Sequence, residues 1–325
     1  MTMILQLGRS LRAKRYLSAI FVSLLVIGGI AVGQMWADVQ PAYLYNLSGF
    51  NGPVHLNWGQ IGIDQTRDEI YVTDPKTGAI IIFNDKGMEI HRFGEDGSLG
   101  AVSGVAVNDS GQILLLTQID AKPAILICDY KGQPVSKLTL KNLPPEFSAF
   151  SAERIVIRHE RIYLLDQGAL LIVVTDEEGV FQFGYDIGRL LAVSEKKRLA
   201  TQISGFSVDG EKNILFTIPV LFTAYKLTPE GKIFSFGRPG SAPGRFGVVG
   251  GIVADDEGNL YVADRLKSVI LIFDKNFNFQ MEFGYRGNKS NNLIGPKDLG
   301  LDSHHRLYIS QLNSRGVSVF KLNYK

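Results

Sequence analysis

The residues of this chain best suited to recognising another molecule gather in its C-terminal third. Arg238, Arg245, Arg265, Lys267, Arg286, Lys289, Lys297 and Arg315 stand against only Asp264 and Asp298 in the segments between the β-type runs there, with Phe246 and Tyr285 among them. Guanidinium groups present forked donors to carboxylates, ammonium groups add point charge, and aromatic rings supply apolar area. That composition suits a surface that meets an acidic protein or peptide, and no turn type requires these bases. The acids are distributed differently. Asp64, Asp68, Glu69, Asp176, Glu177, Glu178, Asp209, Asp255, Asp256 and Glu257 fall in or beside tight turns, where short polar side chains serve the backbone.

Catalytic groups are harder to assemble. His304 and His305 are adjacent, and neighbours on an extended backbone point apart; His55, His91 and His159 lie in separate segments, and all five are read as structural. No Gly-x-Ser-x-Gly elbow, His-Glu-x-x-His helix or phosphate loop occurs. The single cysteine, Cys128, sits in the apolar run Ala124–Cys128 and is read as a small core residue. It excludes an internal disulfide and a c-type haem attachment. No catalytic residue, metal ligand or cofactor is assigned.

These residues must be positioned by a repeated unit. Four times a short β-type strand ends in Phe-Gly, at Phe93-Gly94, Phe183-Gly184, Phe236-Gly237 and Phe283-Gly284. The fullest copy runs from Gly251 through the turn Asp255-Asp-Glu-Gly-Asn259 and the strand Tyr261-Val-Ala-Asp264 to Val269–Asp274 and Gln280–Gly284. Four short strands with turn residues between them make one propeller blade. Aligning the residues that follow the second strand gives Asp74, Thr117, Asp166, Ile218, Asp264 and Gln311, at spacings of 43, 49, 52, 46 and 47. Six units are present, and a ring of six leaves no apolar flank exposed. The pattern resembles the NHL-repeat family of six-bladed β-propellers over residues 42–325. The copy at 249–284 matches fully. Those at 102–140 and 151–186 depart from it, with Leu140 in place of a Phe-Gly ending and Arg158 in place of the turn aspartate.

The resemblance implies an all-β six-bladed propeller used for scaffolding and recognition. Similar propellers include lactonases, lyases and peptide-amidating enzymes with a metal near the axis on the face called here the top. The alternative reading is therefore a metal-dependent lactonase-like or lyase-like enzyme. Such a site needs three or four converging ligands. The expected inner strands begin at Ile61, Ser103, Arg154, Ser204, Gly250 and Asp298, and only Glu153 and Asp298 near those starts are carboxylates. A third reading, binding of a polyanion such as a polysaccharide, needs a continuous basic stripe, which the mixed charges in the loops of blades one to three interrupt.

The sixth unit, from Gly295 to Lys325, supplies three strands. Residues 42–50 are the unassigned β-like segment and are expected to form its outer strand, closing the ring. An outer strand starts on the bottom face, the one bearing the turns between strands one and two and between three and four. Two connections are long. Lys141–Ala152 contains Leu143-Pro144-Pro145 and cannot be helical at its centre, whereas Ile187–Leu199 can form a short helix on the top.

Ahead of the repeats lies a different object. Arg9, Arg12, Lys14 and Arg15 precede Tyr16–Ala37, an uncharged, largely apolar stretch of 22 residues, long enough to span a bilayer. The basic flank predicts an N-terminus in the cytoplasm and a propeller outside it, periplasmic or extracellular. The run exceeds the roughly 7–15 residues of a signal-peptide core, so a retained anchor is expected; the alternative is cleavage after Ala31-Val-Gly33, giving a secreted protein. The expected organisation is a basic segment at 1–15, a transmembrane anchor at 16–37, a linker at 38–41 and the propeller at 42–325. The chain carries a net +2, of which residues 1–15 contribute +4, leaving −2 for the rest. The basic balance is thus the topology signal, and no nucleic-acid partner is expected.

Overall fold

Alternation of apolar and polar residues, punctuated by Asp, Asn and Gly, produces strands where the spacing predicts them. The computed structural model describes residues 39–49, 52–198 and 200–325; the span expected at Tyr16–Ala37 lies outside them. Among the described residues no helix is long and apolar enough to cross a membrane. Six four-stranded antiparallel sheets form the blades. Blade 1 runs outward through Ile61–Asp64, Glu69–Thr73, Ile80–Phe83 and Glu89–Phe93, and blade 2 through Gly104–Val107, Ile113–Ile119, Lys122–Cys128 and Pro134–Leu138. Blade 3 comprises Arg154–Arg158, Arg161–Asp166, Leu171–Thr175 and Phe181–Asp186; blade 4, Phe206–Val208, Ile214–Ile218, Thr223–Leu227 and Ile233–Phe236. Blade 5 comprises Val249–Ala254, Leu260–Asp264, Val269–Phe273 and Phe279–Gly284.

Blade 6 takes Asp298–Leu301, Arg306–Ser310 and Val317–Tyr324 from the C-terminus and its outer strand, Val39–Asn46, from the other end of the propeller. The register runs from Val39 opposite Tyr324 to Asn46 opposite Ser318. The expected strand at 42–50 is therefore shifted: it begins at Val39, taking in residues expected to form a linker, and ends at Asn46. Burial explains the extension, because Val39 is 2% exposed in the apolar cluster between blades 5 and 6. A bulge between Tyr43 and Tyr45 re-aims the strand. Tyr43 packs edge-on against Phe320 at 5.6 Å, and the Tyr45 hydroxyl reaches the Asp85 carbonyl of blade 1 at 3.1 Å. Ser48–Gly49 then pairs with Gly52–Pro53 in a separate hairpin.

Each of the six joints between neighbouring blades has its own apolar cluster, including the one across the closure, where Tyr308, Val317 and Val319 of blade 6 meet Ile70, Val72, Ile81 and Phe83 of blade 1. Third strands such as Ile80–Phe83 and Val269–Phe273 are buried throughout because blades cover both of their faces. Cys128 is fully buried in the cluster between blades 1 and 2, and loss of solvation pushes its thiol up to about 11.

The motif residues have physical duties. Asp255 accepts from the Asn259 amide at 2.7 Å within its own turn and from the hydroxyls of Tyr261 and Tyr324 at 2.7 and 2.8 Å, which ties blade 5 to blade 6. Asp302 and Tyr308 repeat the arrangement at 3.0 Å in blade 6. The glycine of Phe-Gly serves packing on the top. At Gly94, Gly237 and Gly284, φ is +85°, +94° and +112°, and an added Cβ would lie 2.8, 2.0 and 2.6 Å from Leu99, Phe246 and Leu293. In each case an apolar residue of the following loop folds back onto the glycine.

The long connections follow their composition. Pro145–Phe147 makes one 3-10 turn that sends Phe147 against Phe181, ring centroids 5.6 Å apart. The helix expected over Ile187–Leu199 is two short ones, Ile187–Leu190 and Glu195–Arg198. Asp186 caps the first by accepting from the Arg189 amide, and Arg198 returns to Asp186 at 2.5 Å and to the Ala169 carbonyl at 3.0 Å.

Candidate binding face

Two loops on the top, between blades 4 and 5 and between blades 5 and 6, carry most of the predicted site. Both fold alike. In the first, the Phe246 amide donates to the Arg238 carbonyl at 2.8 Å and the Gly240 amide to the Phe246 carbonyl at 3.0 Å. In the second, the Leu293 amide donates to the Tyr285 carbonyl at 3.1 Å, with a bridge between Arg286 and Leu293. Backbone groups thus hold both loops, and the side chains of Arg238, Arg245, Arg286 and Lys289 remain exposed. Among the described residues none of these four forms an ion pair. Tyr285 is exposed beside them, its hydroxyl 3.5 Å from Glu282.

Four predicted members have other roles. Phe246 is fully buried: it packs on Gly237 and against Phe236 and Phe273, so it anchors the loop and offers a partner no surface. Lys267 is paired with Glu282 at 2.7 Å and donates to the carbonyls of Ala242 and Arg245, with its side chain 12% exposed. Arg315 clamps the second loop through the carbonyls of Lys289 and Asn292 at 3.0 and 2.8 Å. Arg265 turns inward, its guanidinium 5.7 Å from the centre of the Trp58 ring. The signal for Phe246 was its spacing: it and Leu293 each stand nine residues after a Phe-Gly glycine. Asp264, for its part, is fully buried and accepts from the amides of Gly247, Val248, Leu266 and Lys267, fixing the first loop to blade 5.

At the axis the inner strands of all six blades enclose a channel of about 290 Å³, lined by apolar residues such as Val105, Ile155, Val208 and Leu299 and by polar ones including Asp64, Arg154, Arg158 and His159. Arg154 begins the inner strand of blade 3 and Asp298 that of blade 6, which stands opposite in a ring of six. Their side chains meet at 2.7 Å across the top of the channel, nearly excluded from solvent, and the second Asp298 oxygen accepts from the Ile61 amide of blade 1 at 2.9 Å. Both oxygens of Asp298 are thereby engaged. Glu153 accepts from the Gln167 amide at 2.8 Å. His55, His91 and His159 each lie within hydrogen-bond distance of a backbone carbonyl, His304 contacts Asp68 at 3.1 Å, and His305 packs on Tyr324. Among the described residues no three His, Cys, Asp or Glu side chains converge as a metal site would require. Sequence reasoning missed Arg154 and Trp58 as members of the axial group.

The fold and this face define the chain as a six-bladed β-propeller whose top face carries an exposed cationic rim. No family profile matches the sequence, and no curated protein sequence does so. Solved structures do share the fold. A Bacteroides thetaiotaomicron protein of unknown function superimposes with a TM-score of 0.62 at 12% identity, over 87% of this chain and 77% of that one. Virginiamycin B lyase from Staphylococcus aureus gives 0.57 at 13% identity over 88% and 99%, and a gluconolactonase from Xanthomonas campestris 0.56 at 12% over 88% and 90%. At such identity the likeness is one of fold, which hosts many activities.

Proposed function

We propose that this propeller is a membrane-tethered, extracytoplasmic scaffold of the NHL type that binds an acidic protein or peptide across its top face without catalysis. The observation that carries the reading is the rim of Arg238, Arg245, Arg286 and Lys289, exposed and without ion pairs among the described residues, on two loops whose folding uses their backbones. Like charges held together without an internal partner attract acidic ligands and speed their encounter. Tyr285 adds apolar contact area beside them. The strand Val39–Asn46 begins at the bottom end of blade 6, opposite Tyr324, away from the loops that carry the rim. The repeat motifs support the NHL assignment.

Fluorescence anisotropy of a labelled glutamate-rich peptide, titrated with the full chain at low salt, tests the reading. Arg245→Glu combined with Arg286→Glu should leave the fold intact and weaken binding by at least about tenfold, with a shallower salt dependence. Equal affinity of parent and double variant at low salt would show the rim to be ordinary solvated surface and refute the proposal.

A further inference from the structure

The mouth of the axial channel presents a second group of charges, distinct from the rim. Lys297 directly precedes the inner strand of blade 6, and its ammonium lies 5.0 Å from the centre of the Trp58 ring; the Arg265 guanidinium approaches the same ring at 5.7 Å. Arg154 and Asp298 lie alongside, already paired with each other. Three cations thus share one carboxylate. Among the described residues neither Lys297 nor Arg265 has a hydrogen-bond or ion-pair partner for its charged head, and the Arg265 Nε is shielded from solvent with none of them to donate to. An indole face steadies a cation but does not neutralise it.

The mouth is also built under strain. Trp58 holds φ at +53°, a backbone region that bulky residues avoid, and is kept there by its amide donating to the Gln311 carbonyl and its indole N–H to the Gly295 carbonyl, both at 2.9 Å. Partly desolvated cations that outnumber their counter-charge are costly for a fold to keep, and burial, with Arg154 as the stronger of two like charges and Asp298 opposing, lowers the affinity of Lys297 for its proton. Trp58, Arg265 and Lys297 nevertheless remain partly accessible, so a ligand can reach them.

We propose that this mouth is an oxyanion site, in which Lys297 and Arg265 bind a carboxylate or phosphate group beside the Arg154–Asp298 pair, with Trp58 as its flat wall. An oxyanion supplies the missing negative charge and accepts from both an ammonium and a guanidinium fork. Trp58 and Trp36 are the only tryptophans, so Trp36→Phe in the full chain makes Trp58 emission a reporter of the mouth. Sodium phosphate and sodium acetate are titrated at constant ionic strength against sodium chloride. A saturable change with either oxyanion and none with chloride is expected, and the stronger of the two identifies the group preferred. A peptide with a free C-terminus, compared with its amide, then shows whether a chain end can supply the carboxylate. Lys297→Met should weaken the response about tenfold or more, with Lys297→Arg restoring much of it. The Arg245→Glu and Arg286→Glu pair should leave it unchanged, which separates this site from the rim. A response absent for both oxyanions, or undiminished in a folded Lys297→Met variant, would overturn the proposal.

Discussion

Lys297 shows how one charge reports on its surroundings. Removal from water is the main cause that holds its pKa below 10.5, Arg154 and Arg265 add to it, and Asp298 opposes them. In the unfolded chain the amine regains its ordinary value, so between the two values the unfolded state binds more protons and stability rises with pH. The cost of the charge is absent above about pH 10.5, grows as the pH falls, and is complete below the folded pKa. Lys297→Met should therefore be more stable than the parent at neutral pH, with an advantage that shrinks as the pH approaches 10.5. Denaturant midpoints of the two proteins across that range measure this, because the tyrosine titrations common to both cancel in the difference. A variant less stable than the parent at neutral pH would mean that the contact between ammonium and indole outweighs desolvation.

Among the elements, the loop between blades 4 and 5 separates packing from recognition within a few residues. Phe246 is held by Gly237, Phe236 and Phe273, whereas Arg245 next to it is exposed. Phe246→Ala should cost about 3–5 kcal/mol, as deletion of a buried aromatic does, while Arg245→Ala should stay within about 0.5 kcal/mol of the parent. Urea unfolding of the two variants checks the contrast, and a Phe246→Ala protein as stable as the parent would show that the loop does not depend on its plug. Arg with aromatic residues reads as an interface in the sequence, but the aromatic ring spent its apolar area on the loop itself. A side chain with a cavity to fill is drawn inward, and a charged neighbour without a partner stays in water.

For the whole molecule, closure by a strand from the far end of the propeller makes the ring one cooperative object. Removing Val39–Asn46 uncovers the ladder edge of Val317–Tyr324 and the apolar contacts of Val39 and Tyr43. Deletion of that segment should abolish a single sharp urea transition and promote association, seen by circular dichroism and size-exclusion chromatography; a monomeric variant with a parent-like transition would show that blade 6 stands without it. The closure was legible in advance because a blade counted with three strands needs a fourth and only one segment was free. Its starting point was not, since the burial of Val39 depends on blade 5 and blade 6 together. By itself, the sequence determined six blades, their order and the roles of the turn aspartates, because strand alternation, φ > 0 at glycine and Asp capping are short-range physics written within a few residues. Only the tertiary structure decided that Arg154 meets Asp298 across the axis, that Lys267 and Arg315 serve the fold, and that Lys297 and Arg265 approach the Trp58 ring. Those outcomes depend on which surfaces the closed ring brings together, and partners 144 residues apart in the chain leave no local pattern by which each could be recognised.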